Sequence, residues 1–389
     1  MSALPAFAFA AAGEIRFGRG IIREASQRIA GLGNRAFLVT GSAGERSTSL
    51  AQDLAARGVS VTSFTAADEP TVALALAGVN AAREGAADVI IGLGGGSAID
   101  TAKAIAGLLT NPGAPLDYLE VVGKGEPLTE RAAPCVAIPT TAGAGAEVTR
   151  NAVLKVSEEQ VKVSLRSPLL LPDLVIVDPE LSASMPPAVT ASTGLDALTQ
   201  VLEPFVSHLA NPLTDGFCRE GLPRAARSLA RAYADGGDMD AREEMALVSL
   251  LGGLALANAK LGAVHGFAGP LGGMYAIPHG IICARLLPFV MAANVAALKE
   301  REPDSPVLAR YDEVAVMLTG DPHADAAAGA AWVQNLCAML NVPPLREFGV
   351  EPADFPEIVA KARRSSSMKG NPLELTEAEL TQALEQAVG

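Results

Sequence analysis

Two of the four histidines, His265 and His279, stand 14 residues apart in the almost uncharged segment VHGFAGPLGGMYAIPHG. Imidazole is the commonest metal ligand near neutral pH, and the glycines and prolines around it suit a shaped pocket. A second half-site lies upstream in STGLDALTQ, where Asp196 and Gln200 are spaced i, i+4 and so share one helix face. Asp196, His265 and His279 supply one oxygen and two nitrogens, a donor set suited to Zn²⁺ or Fe²⁺. Gln200 either adds a weak amide oxygen or leaves that position to water. Each histidine taken singly reads more readily as a satisfied core imidazole. Their joint occurrence with Asp196 favours the metal, because a buried carboxylate needs a partner. A cation held there would polarise an oxygen, placing His265 and His279 beside the reacting atoms. His208 and His323, in polar, Pro- or Asp-flanked settings, read as surface residues.

A different chemistry is written into two small-residue turns. Gly92-Leu93-Gly94-Gly95-Gly96-Ser97 follows an apolar run and precedes a helical segment carrying Asp100 and Lys103. Glycines here let a diphosphate approach backbone N–H groups, and a helix N-terminus adds partial positive charge. The spacing is not G-x-G-x-x-G, and a tight structural strand–helix turn is the alternative. The second turn, Pro139-Thr140-Thr141-Ala142-Gly143-Ala144-Gly145-Ala146-Glu147, also follows an apolar run. In an open α/β sheet, two such loops at the carboxyl ends of strands line one nucleotide-binding crevice. Gly94, Gly95, Gly96, Ser97, Asp100, Thr140, Thr141 and Ala144 are therefore the candidate cofactor residues. The two threonines offer hydroxyls to a phosphate, ribose or amide. Lys162, in VKVSLRSP, either reaches the ribose or phosphates or is an ordinary solvated lysine. No acid stands at position 41 to bind adenosine ribose hydroxyls; Gly41, Ser42 and Arg46 leave room and donors for a 2′-phosphate. The cofactor is thus NAD or NADP, and Arg46 reads equally as a surface arginine.

These residues need rigid elements behind them. Arg35–Thr40, Val59–Phe64, Asp88–Leu93, Cys135–Pro139 and Leu174–Pro179 read as strands, with helices over Thr71–Glu84 and Ala98–Leu109. This alternation predicts a mostly parallel sheet covered by helices. After the Met185-Pro186-Pro187 corner the chain is Ala/Leu-rich without β-branched runs, which predicts an all-α half. The expected division is 1–184, a dinucleotide-binding α/β domain, and 185–389, a helical metal and substrate domain. Apolar residues make up 49% and aromatics 4%, with 38 glycines, a globular profile. A net charge of −13 without a basic run argues against nucleic acid. Four scattered cysteines without a CxxC pair suggest free thiols in a reducing cytoplasm. The N-terminal ALPAFAFAAAG lacks a basic flank and runs into EIRFG, which reads as an early strand rather than a leader. The longest apolar stretch, Ala246–Ala259, is interrupted by glycines and too short to cross a bilayer comfortably, so a soluble protein is expected.

The chain as a whole resembles the iron-containing (group III) alcohol dehydrogenase family. The resemblance is carried by GGGSAIDTAKAIA at 94–106, IPTTAGAGAEVT at 138–149, DPELSASMP, TGLDALTQ at 193–200 and VHGFAGPLGGMYAIPHG, in that order. It implies a dehydroquinate-synthase-like fold, a divalent metal, homodimerisation, and hydride exchange between a nicotinamide and a primary or secondary alcohol. Asp196, His265 and His279 match three of the family's four metal ligands; the fourth, usually His, is Gln200. Position 269, where many members hold a second active-site histidine, is Gly269, and the frequent Asp after the first strand is Gly41.

The reading that results is a cytoplasmic, NAD(P)-dependent, metal-assisted alcohol dehydrogenase or carbonyl reductase for a small to medium alcohol, without membrane or nucleic-acid partners. Gly269 removes an obvious general base and enlarges the pocket. Arg285 could meet a substrate carboxylate or serve a structural ion pair. One alternative is a metal-independent reductase of the maleylacetate reductase type, although those enzymes typically keep an HxxxH pair. Another is a dehydroquinate-synthase-like lyase, although no basic phosphate cluster is evident. A cofactor-binding protein without catalysis is the third.

Overall fold

The computed structural model describes residues 6–41, 44–67 and 69–389. One compact unit comprises Ala10–Thr141 with Gly145–Ser184. Its strands are β1 (Glu14–Phe17), β2 (Arg35–Thr40), β3 (Ser60–Thr65), β4 (Val89–Gly94), β5 (Cys135–Pro139), β6 (Asn151–Val156), β7 (Val161–Arg166) and β8 (Leu174–Val177). Its helices are α1 (Ala25–Ile29), α2 (Glu45–Ala55), α3 (Val72–Glu84), α4 (Gly96–Thr110) and α5 (Pro115–Tyr118). Six strands form one parallel sheet in the order β1-β8-β5-β4-β2-β3. The order reverses between β2 and β4, which makes their carboxyl ends the switch point where ligands bind in open sheets.

Period-2 alternation sorts the strand residues into two cores. Leu38, Ile91, Val136 and Ile176 join one cluster, while Phe37, Val39, Ile90 and Cys135 join the other. Helix α4 lies very close to β4: a Cβ at Gly92 would stand 2.9 Å from the Ala102 Cβ and 3.1 Å from the Ile99 Cα. The expected strands and helices occur within a few residues of their predicted ends. An antiparallel hairpin of β6 and β7 stands beside them, unforeseen because its half-buried strands lack a continuous apolar run. The early strand is EIRF alone, pairing with β8, and the described part of the apolar stretch before it is irregular.

Two buried acids shape this unit. Lys103 is fully buried, and its Nζ donates to Ala146 O (2.6 Å), Thr149 Oγ1 (2.9 Å), Thr149 O (3.2 Å) and Asn151 O, with Asp100 Oδ1 at 3.3 Å. Asp100 also accepts from the Val153 N–H at 3.2 Å, so the α4 pair pegs the loop and hairpin to the sheet. Close by, burial pushes the Glu147 carboxyl up to about 7, against the opposing pull of its backbone N–H and Lys103. A raised carboxyl pKa means that the fold binds this proton more tightly than the unfolded chain does. The resulting stability is full below the unfolded value near 4.5 and is lost as pH rises to about 7. Replacing Glu147→Gln is expected to remove a decline of about 3 kcal/mol across that window. Thermal midpoints of both proteins between those pH values check this: wild type should fall relative to the variant, and parallel curves would refute it.

The other unit comprises Met185–Gly389, Ala142–Ala144 and the segment ending at Phe9. It contains α6 (Pro187–Val206), α7 (Pro212–Ala234), α8 (Met239–Ala259), α9 (Ala263–Met274), α10 (His279–Arg301), α11 (Pro306–Thr319), α12 (Ala326–Met339), α13 (Phe355–Arg364) and α14 (Glu377–Val388). No strand occurs among its described residues. Side-chain caps start several of these helices, including Asn211 for α7, Asp238 for α8 and Thr376 for α14. Arg242, almost fully buried, donates to Thr190 Oγ1 and Met185 O and so ties α8 to the start of α6. Among the described residues, α10 is the one helix long and apolar enough to cross a membrane, and 67% of its apolar window is buried within the fold. It is thus α10, not Ala246–Ala259, that carries the strongest apolar run.

Candidate metal centre and coenzyme crevice

Three helices of the helical unit converge on one small polar cluster. Asp196 lies mid-way along buried α6, His265 in the first turn of α9, and His279 at the first position of α10. The IPHG segment is therefore a helix start and not only a turn, because Pro278 occupies the N-cap. His265 Nε2 lies 3.2 Å from Asp196 Oδ1, and His279 Nε2 lies 3.8 Å from the same oxygen. Cys283 Sγ is 3.7 Å from His265 Nε2, and donor atoms of all four residues lie within 4.8 Å of one another.

Backbone approach makes this convergence possible. A Cβ at Gly280 would stand only 1.9 Å from Ser192 O, so the first turn of α10 rests directly on α6. A Cβ at Gly262 would stand 2.8 Å from Glu203 Oε1, at the sharp break between α8 and α9. Glu203, buried on α6, accepts from the Val264 N–H at 2.8 Å and from His265 Nδ1 at 2.6 Å. That second bond leaves His265 Nε2 facing Asp196 and turns the ring in the manner of carboxylate–histidine–metal triads.

The electrostatics follow from this packing. Burial pushes the Asp196 carboxyl up, but His279, His265 and the Gln200 amide together hold it below its ordinary value. Burial opposes charge on His265, yet Cys283, Asp196 and Glu203 raise it well above the usual imidazole range. Burial pushes the Cys283 thiol up to about 12. Gln200, one turn beyond Asp196, is hydrogen-bonded to that carboxylate, and its Oε1 is buried without a partner. Gly269 is half-buried one turn after His265. Arg285 Nε donates to Ala387 O at 3.3 Å, which fastens the last helix and serves structure. His208 and His323 are exposed, as expected.

Glu203 and Cys283 were not among the expected site residues. The signal existed: Glu203 falls seven residues after Asp196 on the same helix, and Cys283 four residues after His279. Reading His279 as part of a turn hid the shared helix face.

In the α/β unit, a crevice of ≈ 430 Å³ opens at the carboxyl ends of β2, β4 and β5. Thr40, Gly41, Gly44, Arg46, Gly94, Gly95 and Thr140 are among its lining residues. Gly96 and Ser97 open the first turn of α4, whose leading N–H groups have no intrahelical partner. The Thr141 side chain faces Gly95, 3.5 Å from where a Cβ would stand. Ser42 lies outside the described residues. Ala144 clusters with the helical unit, beside Gly143, whose Cβ position abuts Thr193. Two candidates are engaged otherwise. Asp100 is committed to Lys103 and Val153, as above, and Lys162, neither solvated nor free, pairs with Glu69 at 2.6 Å. Arg46 Nη2 donates to Ser184 Oγ at 2.7 Å.

Comparison with known proteins is consistent along the whole chain. Residues 12–179 match the family model described as iron-containing alcohol dehydrogenase, and residues 190–388 match that of the Fe-containing alcohol dehydrogenase family, C-terminal. The chain is 35% identical to choline dehydrogenase of Bacillus subtilis (strain 168), over 93% of this chain and 90% of that protein. It is similar to the crystal structure of 1,3-propanediol oxidoreductase, with a TM-score of 0.90 at 32% identity, covering 98% of this chain and 100% of the other. Sulfoacetaldehyde reductase from Bifidobacterium kashiwanohense, solved in complex with NAD⁺, gives a TM-score of 0.86 at 28% identity, covering 99% of each chain.

Proposed function

The chain belongs to the iron-containing alcohol dehydrogenase family, and from that premise we propose that Asp196, His265 and His279 hold its divalent cation, with Gln200 at their side. The protein is an oxidoreductase that acts on the CH–OH group of a small molecule with NAD(P) and a divalent metal. The observation that carries the assignment of residues is the convergence of the donor atoms within 4.8 Å, with His265 Nδ1 tied to Glu203. The residues fit a cation. One carboxylate and two imidazoles form the donor set, and the orphaned Gln200 Oε1 lacks the partner that buried polar atoms normally find.

When bound, the cation supplies Lewis-acid polarisation of the substrate oxygen, and the nicotinamide takes or gives the hydride. Asp196 contributes the negative charge of the donor set, and Glu203 holds the His265 ring in orientation. Gln200 donates to Asp196 and steadies its carboxylate. Gly269 offers no side chain to move a proton and leaves room for a bulkier or branched substrate. In the α/β unit, Gly94, Gly95, Gly96 and Ser97 present backbone N–H groups to the coenzyme diphosphate, and Thr140 and Thr141 present hydroxyls. Residues 1–184 thus serve the coenzyme and 185–389 the metal and substrate.

The test is metal analysis of protein purified without chelator, paired with NADH and NADPH oxidation over small aldehydes and ketones. Near-stoichiometric zinc or iron with chelator-sensitive, metal-restored turnover supports the reading. Undiminished turnover by metal-free protein overturns it in favour of a metal-independent reductase.

Coenzyme choice is part of the proposal. Gly41 lines the crevice after β2, and a Cβ there meets no described atom within 4 Å, so a side chain can start from this position without a backbone clash. We expect Gly41→Asp to shift the NADH/NADPH ratio of kcat/KM by about tenfold or more toward NADH, the cost of placing a charge against a 2′-phosphate. An unchanged ratio would remove position 41 from coenzyme selection. The four cysteines are free and buried, which supports work in a reducing cytoplasm, and a homodimer is proposed from the prevalence of two-fold assemblies.

A further inference from the structure

We propose that Cys283 is a ligand of this metal centre, its thiolate taking the fourth position in place of the weak amide oxygen of Gln200. The inference rests on the metal centre proposed above. Cys283 and His279 stand four residues apart on α10, so one helix face presents both. Cys283 is fully buried, and its Sγ lies within 4.8 Å of the donor atoms of Asp196, His265 and His279. A tetrahedral ion with bonds of about 2.0–2.1 Å to nitrogen or oxygen and about 2.3 Å to sulfur has N···O edges of about 3.3 Å and N···S edges of about 3.6 Å. The corresponding separations are 3.2 Å for His265–Asp196 and 3.7 Å for His265–Cys283, with His279–Asp196 at 3.8 Å.

Gln200, by contrast, gives its amide N–H to Asp196, and its free Oε1 is a weak donor that brings no charge. A thiolate and a carboxylate together neutralise a divalent ion in a buried site, which a carboxylate and an amide do not. The thiol proton leaves to solvent as the metal–sulfur bond forms, with no change of oxidation state. A soft sulfur donor also favours zinc or cobalt over magnesium or manganese.

The experiment loads the full-length protein with Zn²⁺ or Co²⁺ and reads metal–sulfur bonding directly, in wild type, Cys283→Ser, Cys283→Ala and Gln200→Ala. Zinc X-ray absorption of wild type should show one sulfur at about 2.3 Å. The cobalt protein should show a near-ultraviolet thiolate charge-transfer band. Both signals should vanish in the Cys283 variants and persist in Gln200→Ala, and zinc affinity of Cys283→Ala should fall by about tenfold or more. Cobalt bound with ligand-field bands but no thiolate band, or a band surviving in Cys283→Ala, overturns the proposal and leaves the metal centre standing. Wild type that binds neither ion overturns the metal centre itself, and this inference with it. Cys283→Ser, close in shape to the native residue, keeps the test open where alanine disturbs the core.

Discussion

Asp196→Asn is expected to lower kcat/KM about a thousandfold or more, equivalent to about 4 kcal/mol of lost transition-state stabilisation. The same variant should lose its divalent cation on gel filtration. Asp196 is the oxygen that both histidines face, at 3.2 Å from His265 and 3.8 Å from His279. Asparagine keeps the shape but removes the carboxylate charge from the donor set, leaving the charge of a buried divalent ion less well neutralised. The loss should therefore appear in metal content as well as in rate. The variant is assayed for bound zinc and iron and for turnover across added metal. Wild-type metal content and rate in Asp196→Asn would overturn the assignment of this carboxylate. Loss of metal without loss of rate would point to a metal-independent reductase.

Lys103→Met should produce the largest change in stability, about 3–5 kcal/mol, with a fall in thermal midpoint on the order of 10 °C. Methionine fills the space of the lysine stem but leaves the carbonyls of Ala146, Thr149 and Asn151 without their donor. It also strips Asp100 of its cation. Burial already raises the Asp100 pKa against the pull of Lys103, so without the lysine that carboxyl remains buried and uncompensated. The double variant Lys103→Met/Asp100→Leu should regain part of the loss, since removing both charges costs less than removing one. Calorimetry on both proteins decides the matter. A single variant as stable as wild type would mean that water replaces the ammonium, and a double variant worse than the single would deny the pairing.

Much of this protein was legible in its residues. The apolar runs of β2, β4, β5 and β8 are buried on both faces, so their composition alone marks strands of a parallel sheet. Turn chemistry marked the Gly94–Ser97 loop, and the i, i+4 spacing of Asp196 and Gln200 marked a helix face. The hairpin of β6 and β7 was not legible, because its half-buried strands show no continuous apolar run. Lys162 read as solvated or ligand-seeking only because nothing in the sequence places Glu69 against it.

The sequence by itself determined the family and the α/β-then-helical order, and it singled out Asp196, His265 and His279. These are local or patterned properties, carried by hydrophobic period, glycine turns and motif spacing. Only the tertiary structure decided which partners complete them. Glu203 reaches His265, 62 positions further along the chain, across a helix–helix contact, and Asp100 turns to Lys103 and the hairpin. Cys283 reaches the cluster because Gly280 lets α10 press onto α6. Such pairings depend on backbone approach between elements far apart in the chain, a quantity that no spacing along the sequence encodes.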